Sequence, residues 1–415
     1  MNKLSNEEQT LYQLLNLIEE GYLTVVNHQG EEFRFGKEGS SPNLRLIVRN
    51  SETYRHILAF ASLGFGESYM YGWWDEENGN LAELAGILLS NGVYTKARGQ
   101  FSLVLKIIFQ RLLTLPNLVA NSVKNVQHHY DLGNDFYRLF LDKSLTYSCG
   151  YQLQDTDTLE EMQTQKYELI CKKLSLKPGD NMIDVGCGWG GMLIYAAEKY
   201  GVYGTGITLS QEQANLAIER IDKRGLADRL KIVVSDYREV EGQYDKFVSI
   251  GMFEHVGKGN FSVFMKKVSE LLKPDGIGLL HTIGTVGLGG RDPWIEKYIF
   301  PGGYLPKLHD LTQEMYNANL LVAHCENLKP HYAKTLNLWS KNFRHNKEKI
   351  MALSDKYDLQ FIRTWDLYLQ VCEATFLNGN SQLYQILFCK RRQWQFETPL
   401  NFKIDKPSTK IWESH

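Results

Sequence analysis

The sequence has few of the residues that build metal sites and disulfide frameworks. Its six cysteines lie at positions 149, 171, 187, 325, 372 and 389, and none of them forms a CxxC pair. This spacing fits neither a zinc site nor a small disulfide framework. Histidines and carboxylates do not cluster at ligand spacing, and the adjacent histidines at 128 and 129 do not form such a cluster by themselves. We therefore expect no metal and reduced thiols.

An excess of charge of either sign is also missing. The chain has 46 basic and 48 acidic residues, for a net charge of −2, so no overall field favours nucleic acid. The first residues, "MNKLSNEEQTLYQLL", are acidic and lack the apolar core of a signal peptide. These absences predict a cytoplasmic protein that does not bind nucleic acid.

Long hydrophobic runs are absent as well. The longest apolar stretch, "FSLVLKIIFQRLLTL" at residues 101–115, is shorter than the roughly 20 residues that a membrane span needs. Polar residues recur in it every fourth position, at Ser102, Lys106, Gln110 and Thr114, which predicts a helix with a narrow polar stripe. Such a helix is either buried, or lies on a membrane surface or at a subunit contact.

The length of 415 residues predicts two or three domains. Residues 1–95 combine a helical start with short alternating segments such as "YLTVVN", "EEFRFG" and "LRLIVRN", which predicts an α+β domain. In this domain "YRHILAFASLGFGESYMYGWWDEE" should begin as a helix and end in a turn rich in glycine and aromatic residues. We expect a helical linker at 96–124, a catalytic domain at 125–395 and a tail at 396–415.

From about residue 165 the pattern alternates between strands and helices, which is typical of a doubly wound α/β sheet. Strands are predicted at 181–186, 202–210, 230–236, 244–251, 277–284 and 383–392, and helices at 190–201, 210–225 and 260–276. Ser210 is the expected N-cap of the second of these helices, with Gln213 at its third position. Pro274 is expected to stop the third.

The segment "DVGCGWGG" follows a strand and opens a helix, with Gly186, Gly188 and Gly191 in a G-x-G-x-x-G pattern. Dinucleotides and S-adenosylmethionine both bind such loops. A dinucleotide site requires a carboxylate at the end of the second strand, which here ends in "GITLS" without one. Asp236, which ends the third strand, is placed to accept a hydrogen bond from an adenine amino group.

The stretch "LTYSCGY" contains a cysteine, Cys149, with no partner cysteine nearby. Its residues alone leave open a nucleophile, a metal ligand, half of a disulfide, or a small residue whose backbone is needed. Cysteine is most often a small buried residue.

Seven segments occur in one order: "HHYDLGNDFYRLFLDKSLTYSCGY", "DVGCGWGG", "GITLSQEQ", "SIGMFEHVG", "LLHTIG", "IFPGGYLP" and "PHYAKTLNLWSKNF". Together they resemble the cyclopropane-fatty-acid synthases, including the mycolic acid cyclopropane synthases, over roughly residues 125–392. Residues 1–95 resemble the smaller N-terminal domain of full-length bacterial members. The resemblance implies a Rossmann-like S-adenosylmethionine-dependent methyltransferase domain beside that α+β domain.

The resemblance further implies transfer of a methylene unit from S-adenosylmethionine to a cis double bond, which forms a cyclopropane ring in an unsaturated phospholipid acyl chain. The same carbocation could instead give a methyl-branched or methylene-bearing chain. Two more distant alternatives are a small-molecule methyltransferase and a non-catalytic lipid-binding protein that retains the cofactor. Such a reaction requires a base beside an apolar, aromatic-lined tunnel that excludes water, and aromatic faces can stabilise the cation.

In the family that the chain resembles, the base is a bound bicarbonate ion. By motif match its holders are Cys149, Glu254, His281, Tyr332 and Cys372, with Cys149 expected to contribute a backbone N–H group. Without the resemblance, Glu254 would equally be a surface carboxylate and His281 a structural histidine. Only the motif position selects Glu254 over its neighbour His255.

The resemblance also assigns the cofactor contacts. Tyr147 and Ser148 match residues beside the methionine carboxylate, and Gly186 and Gly188 contact the ligand through their backbone. Thr208 and Gln213 match the ribose side, and Asp236, Tyr237 and Arg238 frame the adenine. The sequence "DYR" there favours the phospholipid-type members over the mycolic acid branch. His129 and Tyr130 either shape a lid or belong to a helix cap.

The N-terminal domain is expected to dock on the bilayer or to form a dimer contact, since "FASLGFGESYMYGWWD" and the 101–115 helix offer apolar surface. The predicted partners are therefore unsaturated phospholipid acyl chains, the membrane surface and a second copy of the chain. The predicted location is the cytoplasm, at the inner face of the membrane.

Overall fold

The computed structural model describes residues 4–98, 132–287, 292–390, 400 and 402–413. The predicted apolar helix at 101–115 and the residues His129 and Tyr130 lie outside these ranges. Contacts divide the chain into two compact units, each discontinuous in sequence. The first comprises 1–131, 291–301 and 343–380, and the second comprises 132–290, 302–342 and 381–415.

The described elements up to residue 98 are five helices and four strands. The helices are α1 (Asn6–Leu15), α2 (Glu52–Phe60), α3 (Ser62–Met70), α4 (Leu81–Ser90) and α5 (Val93–Arg98), and the strands are β1 (Tyr22–Val26), β2 (Glu32–Gly36), β3 (Asn43–Val48) and β4 (Trp74–Glu76). The strand order is β2-β1-β3-β4. Strands β1 and β3 are parallel, and the other two pairings are antiparallel. The α+β character expected for this segment is present.

The later described helices are α6 (Gly133–Arg138), α7 (Leu159–Lys173), α8 (Gly191–Tyr200), α9 (Gln211–Lys223), α10 (Phe261–Leu271), α11 (Pro293–Tyr298), α12 (Leu308–Asn317), α13 (Lys329–His345), α14 (Lys347–Met351) and α15 (Leu359–Leu377). The later strands are β5 (Asn181–Val185), β6 (Tyr203–Thr208), β7 (Leu230–Val234), β8 (Tyr244–Ile250), β9 (Leu272–Thr285), β10 (Leu320–Asn327) and β11 (Ser381–Lys390).

The second unit is built on a seven-stranded sheet with the order β10-β11-β9-β8-β5-β6-β7. Strands β5 to β9 are mutually parallel, and β11 is antiparallel to both β9 and β10. Successive residues of β5 enter opposite cores, because Met182 belongs to one buried cluster and Ile183 to the other. The predicted α/β class and the predicted strands are confirmed.

One local prediction in this unit was wrong, and one strand was not predicted. Helix α10 ends at Leu271, three residues before Pro274, because Leu272 already begins strand β9. Strand β10 was not predicted, since only one of its eight residues is fully buried and its apolar pattern is weak. As predicted, the side chain of Ser210 caps α9 by accepting a hydrogen bond from the backbone N–H of Gln213.

As expected, the segment at residues 54–77 begins helical, as far as Met70, and ends in a turn at Tyr71 and Gly72 before β4. Its glycines serve close packing, because a Cβ atom at Gly66 would overlap the indole ring of Trp294. That ring also donates a hydrogen bond from Nε1 to the sulfur of Met70, at 3.1 Å. Helix α11, far along the chain, therefore packs on α3 within the first unit.

A buried carboxylate holds these helices together. Glu67 accepts hydrogen bonds from His56 Nε2, Lys297 Nζ and the Tyr298 hydroxyl, each at 2.7 Å. Burial by itself would raise the pKa of Glu67, but these three donors lower it to about 2. The carboxylate thus stays ionised and links α2, α3 and α11.

Helix α15 completes the first unit. The guanidinium of Arg363 donates to the backbone carbonyls of Tyr69 at 2.5 Å and Trp74 at 2.8 Å, and lies 3.9 Å from the centre of the Tyr69 ring. Residues 359–377 are therefore part of the same core as the N-terminal segment. Among the described residues, no helix is long and apolar enough to cross a membrane.

We predict that Gly66→Ala destabilises the first unit by about 1 to 3 kcal/mol, because the added methyl group overpacks the contact with Trp294. Urea unfolding followed by tryptophan fluorescence measures the change. Gly259→Ala is the matched control, since its Cβ position has no atom within 4 Å. Equal stability of the two variants would contradict the packing role of Gly66.

Candidate functional site

The glycine loop lies at the carboxyl end of β5, the central strand of the parallel segment. Gly186 has φ of +89°, and its N–H group and that of Cys187 both donate to the carbonyl of Ile207, at 2.9 and 3.0 Å. A Cβ atom at Gly186 would lie 2.6 Å from Cβ of Met252. Gly188 has φ of +53° and open space at its Cβ position, so a ligand can approach the backbone there.

The end of β6 brings together the two residues that match the ribose side. The Thr208 hydroxyl donates to Oε1 of Gln213 at 2.9 Å and accepts from the N–H of Ser210 at 3.2 Å. Thr208 is buried. The side chain of Gln213, which also lies at the third position of α9, is thereby fixed beside the strand end.

The end of β7 carries the residues that match the adenine side. Both carboxylate oxygens of Asp236 accept hydrogen bonds from Arg238, from its N–H and Nε at 2.9 Å and from its terminal nitrogen at 2.6 Å. These bonds lower the pKa of Asp236. The carboxylate expected to accept from an adenine amino group is thus already bonded to Arg238, and its role towards adenine stays a prediction.

A tight turn precedes Cys149. The buried carboxylate of Asp142 accepts from the N–H groups of Ser144 and Thr146, at 2.8 and 2.9 Å, while Leu145 between them has φ of +57°. Burial raises the pKa of Asp142, and these bonds oppose that rise. This network fixes the path of the chain into "TYSCG".

Cys149 itself is fully buried, and burial raises the pKa of its thiol above the usual range. A reactive cysteine requires the opposite shift, so the structure argues against a nucleophile. All six cysteines are free, which excludes a disulfide in this state. The N–H of the next residue, Gly150, donates to the hydroxyl of Thr335 at 3.0 Å.

Ser148 is held by a lysine that the sequence did not single out. The ammonium group of Lys166 is completely buried and donates to the Ser148 hydroxyl at 2.9 Å. Burial lowers the pKa of Lys166 to about 7, while Asp142 and Asp184 oppose that shift. A buried ammonium can only donate, so the hydroxyl of Ser148 is left to donate to another group.

Glu254 lies on a one-turn 3-10 helix that follows β8 and is buried, whereas the neighbouring His255 is exposed. Its Oε1 atom accepts from the backbone N–H of Ile283 at 2.6 Å. Its Oε2 atom is buried and has no hydrogen-bond partner among the described residues. Burial raises the pKa of Glu254 to about 7, and the bond from Ile283 opposes the rise.

His281 lies on β9, two residues before Ile283 and opposite Ile250 of β8. Its side chain is buried, with Nδ1 3.1 Å from Nε2 of Gln385, while Nε2 of the histidine has no partner in the described parts of the chain. Burial lowers the pKa of His281 well below its usual value, so the ring is neutral.

The two unpartnered atoms, Glu254 Oε2 and His281 Nε2, belong to one residue that is bonded to β9 at Ile283 and one that lies on β9. A buried polar atom without a partner is costly unless a ligand completes it. A hydrogen-bond acceptor on Glu254 and an imidazole nitrogen on His281 suit a small anion that both donates and accepts. Bicarbonate, with one hydroxyl and acceptor oxygens, fits this pair.

An aromatic cluster lies in the same unit. The Tyr147 ring is 5.2 Å from that of Trp339 and 5.4 Å from that of Tyr137, and Tyr137 is 5.0 Å from Trp189. Tyr332 meets Trp339 edge-on at 6.1 Å. Such rings exclude water and present faces that attract positive charge.

The structure thus groups the predicted residues unevenly. The second unit contains every predicted cofactor residue and four of the five predicted anion holders. Cys372 lies on α15 in the first unit, where burial raises the pKa of its thiol to about 12. Its part in the anion site rests on the resemblance alone.

Sequence reasoning missed the buried polar residues behind the site: Asp142, Lys166, Lys173, Asp184, Thr335 and Gln385. For Gln385 a signal was available, because a glutamine interrupts the apolar strand "LYQILF". For Lys166 no sequence signal was available, since every residue from Met162 to Tyr167 is buried and this part of the helix has no polar face.

One cavity of about 570 Å³ lies elsewhere in the second unit and contains none of the predicted site residues. Its polar lining is mixed in charge, with Arg138, Lys143, Arg220, Lys223 and Arg224 beside Asp142, Glu160, Glu219 and Glu413. Within the described residues, no three His, Cys, Asp or Glu side chains are grouped so that they could hold a metal ion.

Comparison with known proteins identifies the lineage of the chain. A family model described as mycolic acid cyclopropane synthetase matches residues 119–386. The cyclopropane-fatty-acyl-phospholipid synthase of Escherichia coli K12 is 38% identical over 353 residues, which cover 85% of this chain and 89% of that protein. The tuberculostearic acid methyltransferase of Mycobacterium tuberculosis is 32% identical over 83% of this chain and 82% of its own length.

Solved structures agree with these relatives. The cyclopropane synthase MmaA2 from Mycobacterium tuberculosis superimposes with a TM-score of 0.60 and 32% identity, covering 64% of this chain and 97% of that one. The mycolic acid cyclopropane synthase CmaA1, in complex with SAH and CTAB, gives 0.59 at 36% identity, with the same shares of the two chains. The sheet described above is the sheet of S-adenosylmethionine-dependent methyltransferases.

We predict that Glu254→Gln stabilises the ligand-free protein above pH 7. Because the folded-state pKa of Glu254 is raised to about 7, the folded protein resists ionisation of this carboxylate, and stability falls as the pH rises from the unfolded value near 4.5 to 7. The variant lacks this loss, so its advantage should grow across that window to about 1 to 3 kcal/mol.

Urea unfolding between pH 5 and pH 8, in buffer free of bicarbonate, measures this effect. Glu241→Gln, which removes an exposed carboxylate and leaves Glu254 in place, is the control and should follow the wild-type curve. A Glu254→Gln curve parallel to that of the wild type would contradict the buried ionisable site.

Proposed function

The chain belongs to the mycolic acid cyclopropane synthetase family, and from this we propose that it transfers a methylene unit from S-adenosylmethionine to the cis double bond of an unsaturated phospholipid acyl chain. The product is a cyclopropane ring, and the base is a bound bicarbonate ion. The chain is a methyltransferase, and its relatives act on lipids. The phospholipid substrate and the bicarbonate are the proposed parts.

The observation that carries the proposal is the pair of buried, unpartnered atoms at the end of β9. Neither Glu254 Oε2 nor His281 Nε2 has a hydrogen-bond partner within the described residues. An anion that accepts from His281 and donates its hydroxyl proton to Glu254 satisfies both atoms.

The proposed cofactor contacts follow the carboxyl edge of the sheet. The hydroxyl of Ser148 donates to the methionine carboxylate, since Lys166 already occupies one of its acceptor positions. The backbone at Gly188 is open to the ligand, and Thr208 with Gln213 lines the ribose. Asp236, Tyr237 and Arg238 border the adenine, with the bonds between Asp236 and Arg238 either retained or exchanged on binding.

In the proposed reaction, S-adenosylmethionine supplies the electrophilic methyl group, and bicarbonate removes the proton that closes the ring. The chain's own residues do the rest. Tyr147, Trp339 and Tyr332 exclude water and turn ring faces towards the positive charge that develops on the acyl chain. Glu254 orients the anion by accepting a hydrogen bond from its hydroxyl group, and His281 and the N–H of Cys149 donate to its oxygens.

A second candidate product comes from the same carbocation: loss of a different proton gives a methylene-bearing chain, and addition of hydride from a separate donor gives a methyl-branched chain. The specific observation in its favour is the similarity to a tuberculostearic acid methyltransferase across most of both chains. The residues described here bind the donor and shield the cation in either case, so the two outcomes differ only in the fate of the cation.

We further propose that the protein works at the inner face of the membrane as a peripheral protein, with a homodimer as the alternative use of its apolar surface. The substrate class supports this proposal, because phospholipid acyl chains lie in a bilayer. Co-sedimentation of the full-length protein with phospholipid vesicles tests it. A truncation is unsuitable, since α11 and α15 share the core of the N-terminal segment.

The deciding experiment incubates the full-length protein with S-adenosylmethionine and vesicles of a cis-unsaturated phospholipid. We expect each modified acyl chain to gain one CH₂, lose its olefinic proton signals and show cyclopropane protons. A gain of CH₂ with an alkene retained, or a gain of CH₂ plus two hydrogens with a methyl branch, would select the second candidate. Bound cofactor without any gain on these vesicles would contradict the proposed substrate.

We predict that Cys149→Ala keeps at least about a tenth of the wild-type turnover, because only its backbone N–H is used and its thiol is buried with a raised pKa. Glu254→Gln, measured in parallel, should lose 100-fold or more, on the order of the loss seen for other groups that bind charge in a transition state. An equally severe loss of turnover in Cys149→Ala would contradict this prediction and show that the thiol takes part directly.

A further inference from the structure

Three polar residues form one row across neighbouring strands of the second unit. In the register of the sheet, Glu326 of β10 lies opposite Gln385 of β11, and Gln385 lies opposite His281 of β9. Directly opposed residues project to the same face of an antiparallel pair. The row therefore runs from an edge strand, where Glu326 is partly exposed, to the buried imidazole.

Lys173 of helix α7 covers this row. Its ammonium group is completely buried, donates to Glu326 Oε2 at 2.5 Å and donates to Gln385 Oε1 at 2.7 Å. Burial lowers the pKa of Lys173, while the nearby carboxylate of Glu326 opposes that shift and favours the charged form. A charged ammonium has three donors and no acceptor.

The lysine decides which way the glutamine amide faces. Only the amide oxygen can face Lys173, because the opposite orientation would bring the NH₂ group against a buried cation. The NH₂ group of Gln385 therefore faces Nδ1 of His281, at 3.1 Å. An N–H donor opposite Nδ1 requires that this nitrogen carry a lone pair and no proton.

We propose that Lys173 and Gln385 are positioning residues that hold His281 as the tautomer with its proton on Nε2. The ring is neutral and has one proton, so removing it from Nδ1 places it on the nitrogen that has no partner in the described chain. That nitrogen is then a fixed donor towards the anion. This inference rests on the proposed function for the identity of the anion, but not for the tautomer.

The tautomer of His281 decides whether its Nε2 atom can donate a hydrogen bond to an anion. In the opposite tautomer, Nε2 would present a lone pair to the oxygen of an anion, and binding would lose a hydrogen bond and gain a repulsion. Loss of the hydrogen-bond partner behind a metal-ligating histidine typically costs about 10- to 100-fold in affinity, and we expect an effect of the same order for an anion bound by His281. A purely structural glutamine would only need to satisfy its own polar atoms, and the state of the imidazole would not depend on it.

The test reads the tautomer directly in the ligand-free, full-length protein. Nitrogen-15 NMR of histidine-labelled protein at pH 8 distinguishes protonated from unprotonated ring nitrogens, and His281→Gln identifies the signal by its loss. We expect Nε2 of His281 to carry the proton. A proton on Nδ1 in the wild type would overturn the proposal without any variant.

Gln385→Glu replaces the NH₂ donor that faces His281 with an acceptor oxygen and keeps the size of the side chain. A carboxylate still accepts from Lys173 but must also accept from His281, so the proton should move to Nδ1. The bicarbonate concentration that gives half-maximal turnover should rise by about 10- to 100-fold, with the affinity for S-adenosylhomocysteine unchanged. An unchanged tautomer would overturn the proposal.

Gln382→Glu is the matched control, because it places the same charge on the same strand opposite Gly284 instead of His281; it should leave the tautomer as in the wild type. Lys173→Met provides a second route if Gln385→Glu does not fold. It should release the amide and give a mixture of both tautomers, and a pure Nε2–H form would refute the part assigned to Lys173. The expected tautomer together with turnover independent of bicarbonate would leave the positioning intact and refute the proposed base.

Discussion

The register of strand β9 is the constraint on which the site depends. This strand is parallel to β8 on one side and antiparallel to β11 on the other, so its residues have fixed neighbours in both directions. His281 is thereby placed opposite Gln385, and two residues later the N–H of Ile283 holds the carboxylate of Glu254. A shift of one residue would turn His281 to the other face and separate it from both partners.

The second unit also contains two buried lysines. Lys166 and Lys173 are both fully buried on helix α7: Lys166 donates to the hydroxyl of Ser148, and Lys173 donates to the amide oxygen of Gln385, whose NH₂ group faces His281. Burying a charge is expensive unless its donors are used. In both cases the lysine determines the direction in which a neighbouring group can donate, which supplies a physical reason for keeping the charge in the interior.

The first unit shows how distant parts of a chain can share one core. Glu67 is bonded to Lys297 and Tyr298, and Arg363 is bonded to the carbonyls of Tyr69 and Trp74. These bonds join segments separated by more than 200 residues. The N-terminal segment and the helices α11 and α15 therefore fold together, which a division of the chain into consecutive blocks does not anticipate.

The sequence alone was sufficient for the α/β class, for the strands from β5 to β9, for the glycine loop and for the family, because alternation, turn residues and short motifs are local signals. It also predicted Glu254 and His281 as anion holders, although only by resemblance, and that assignment stays a prediction. Strand β10 was not predicted, because an edge strand has a weak apolar pattern. The packing role of Gly66 could not be predicted either, because the ring of Trp294 lies 228 positions away from it in the chain.

What only the tertiary structure decided is which polar groups meet. Lys173 and Gln385 are 212 positions apart, and no spacing in the sequence relates them. Their contact exists because a helix crosses one particular row of the sheet, and a hydrogen bond depends on that geometry within a fraction of an ångström. Residue types are written in the sequence, but the direction in which a hydroxyl, an amide or an imidazole donates is set by its neighbours in space.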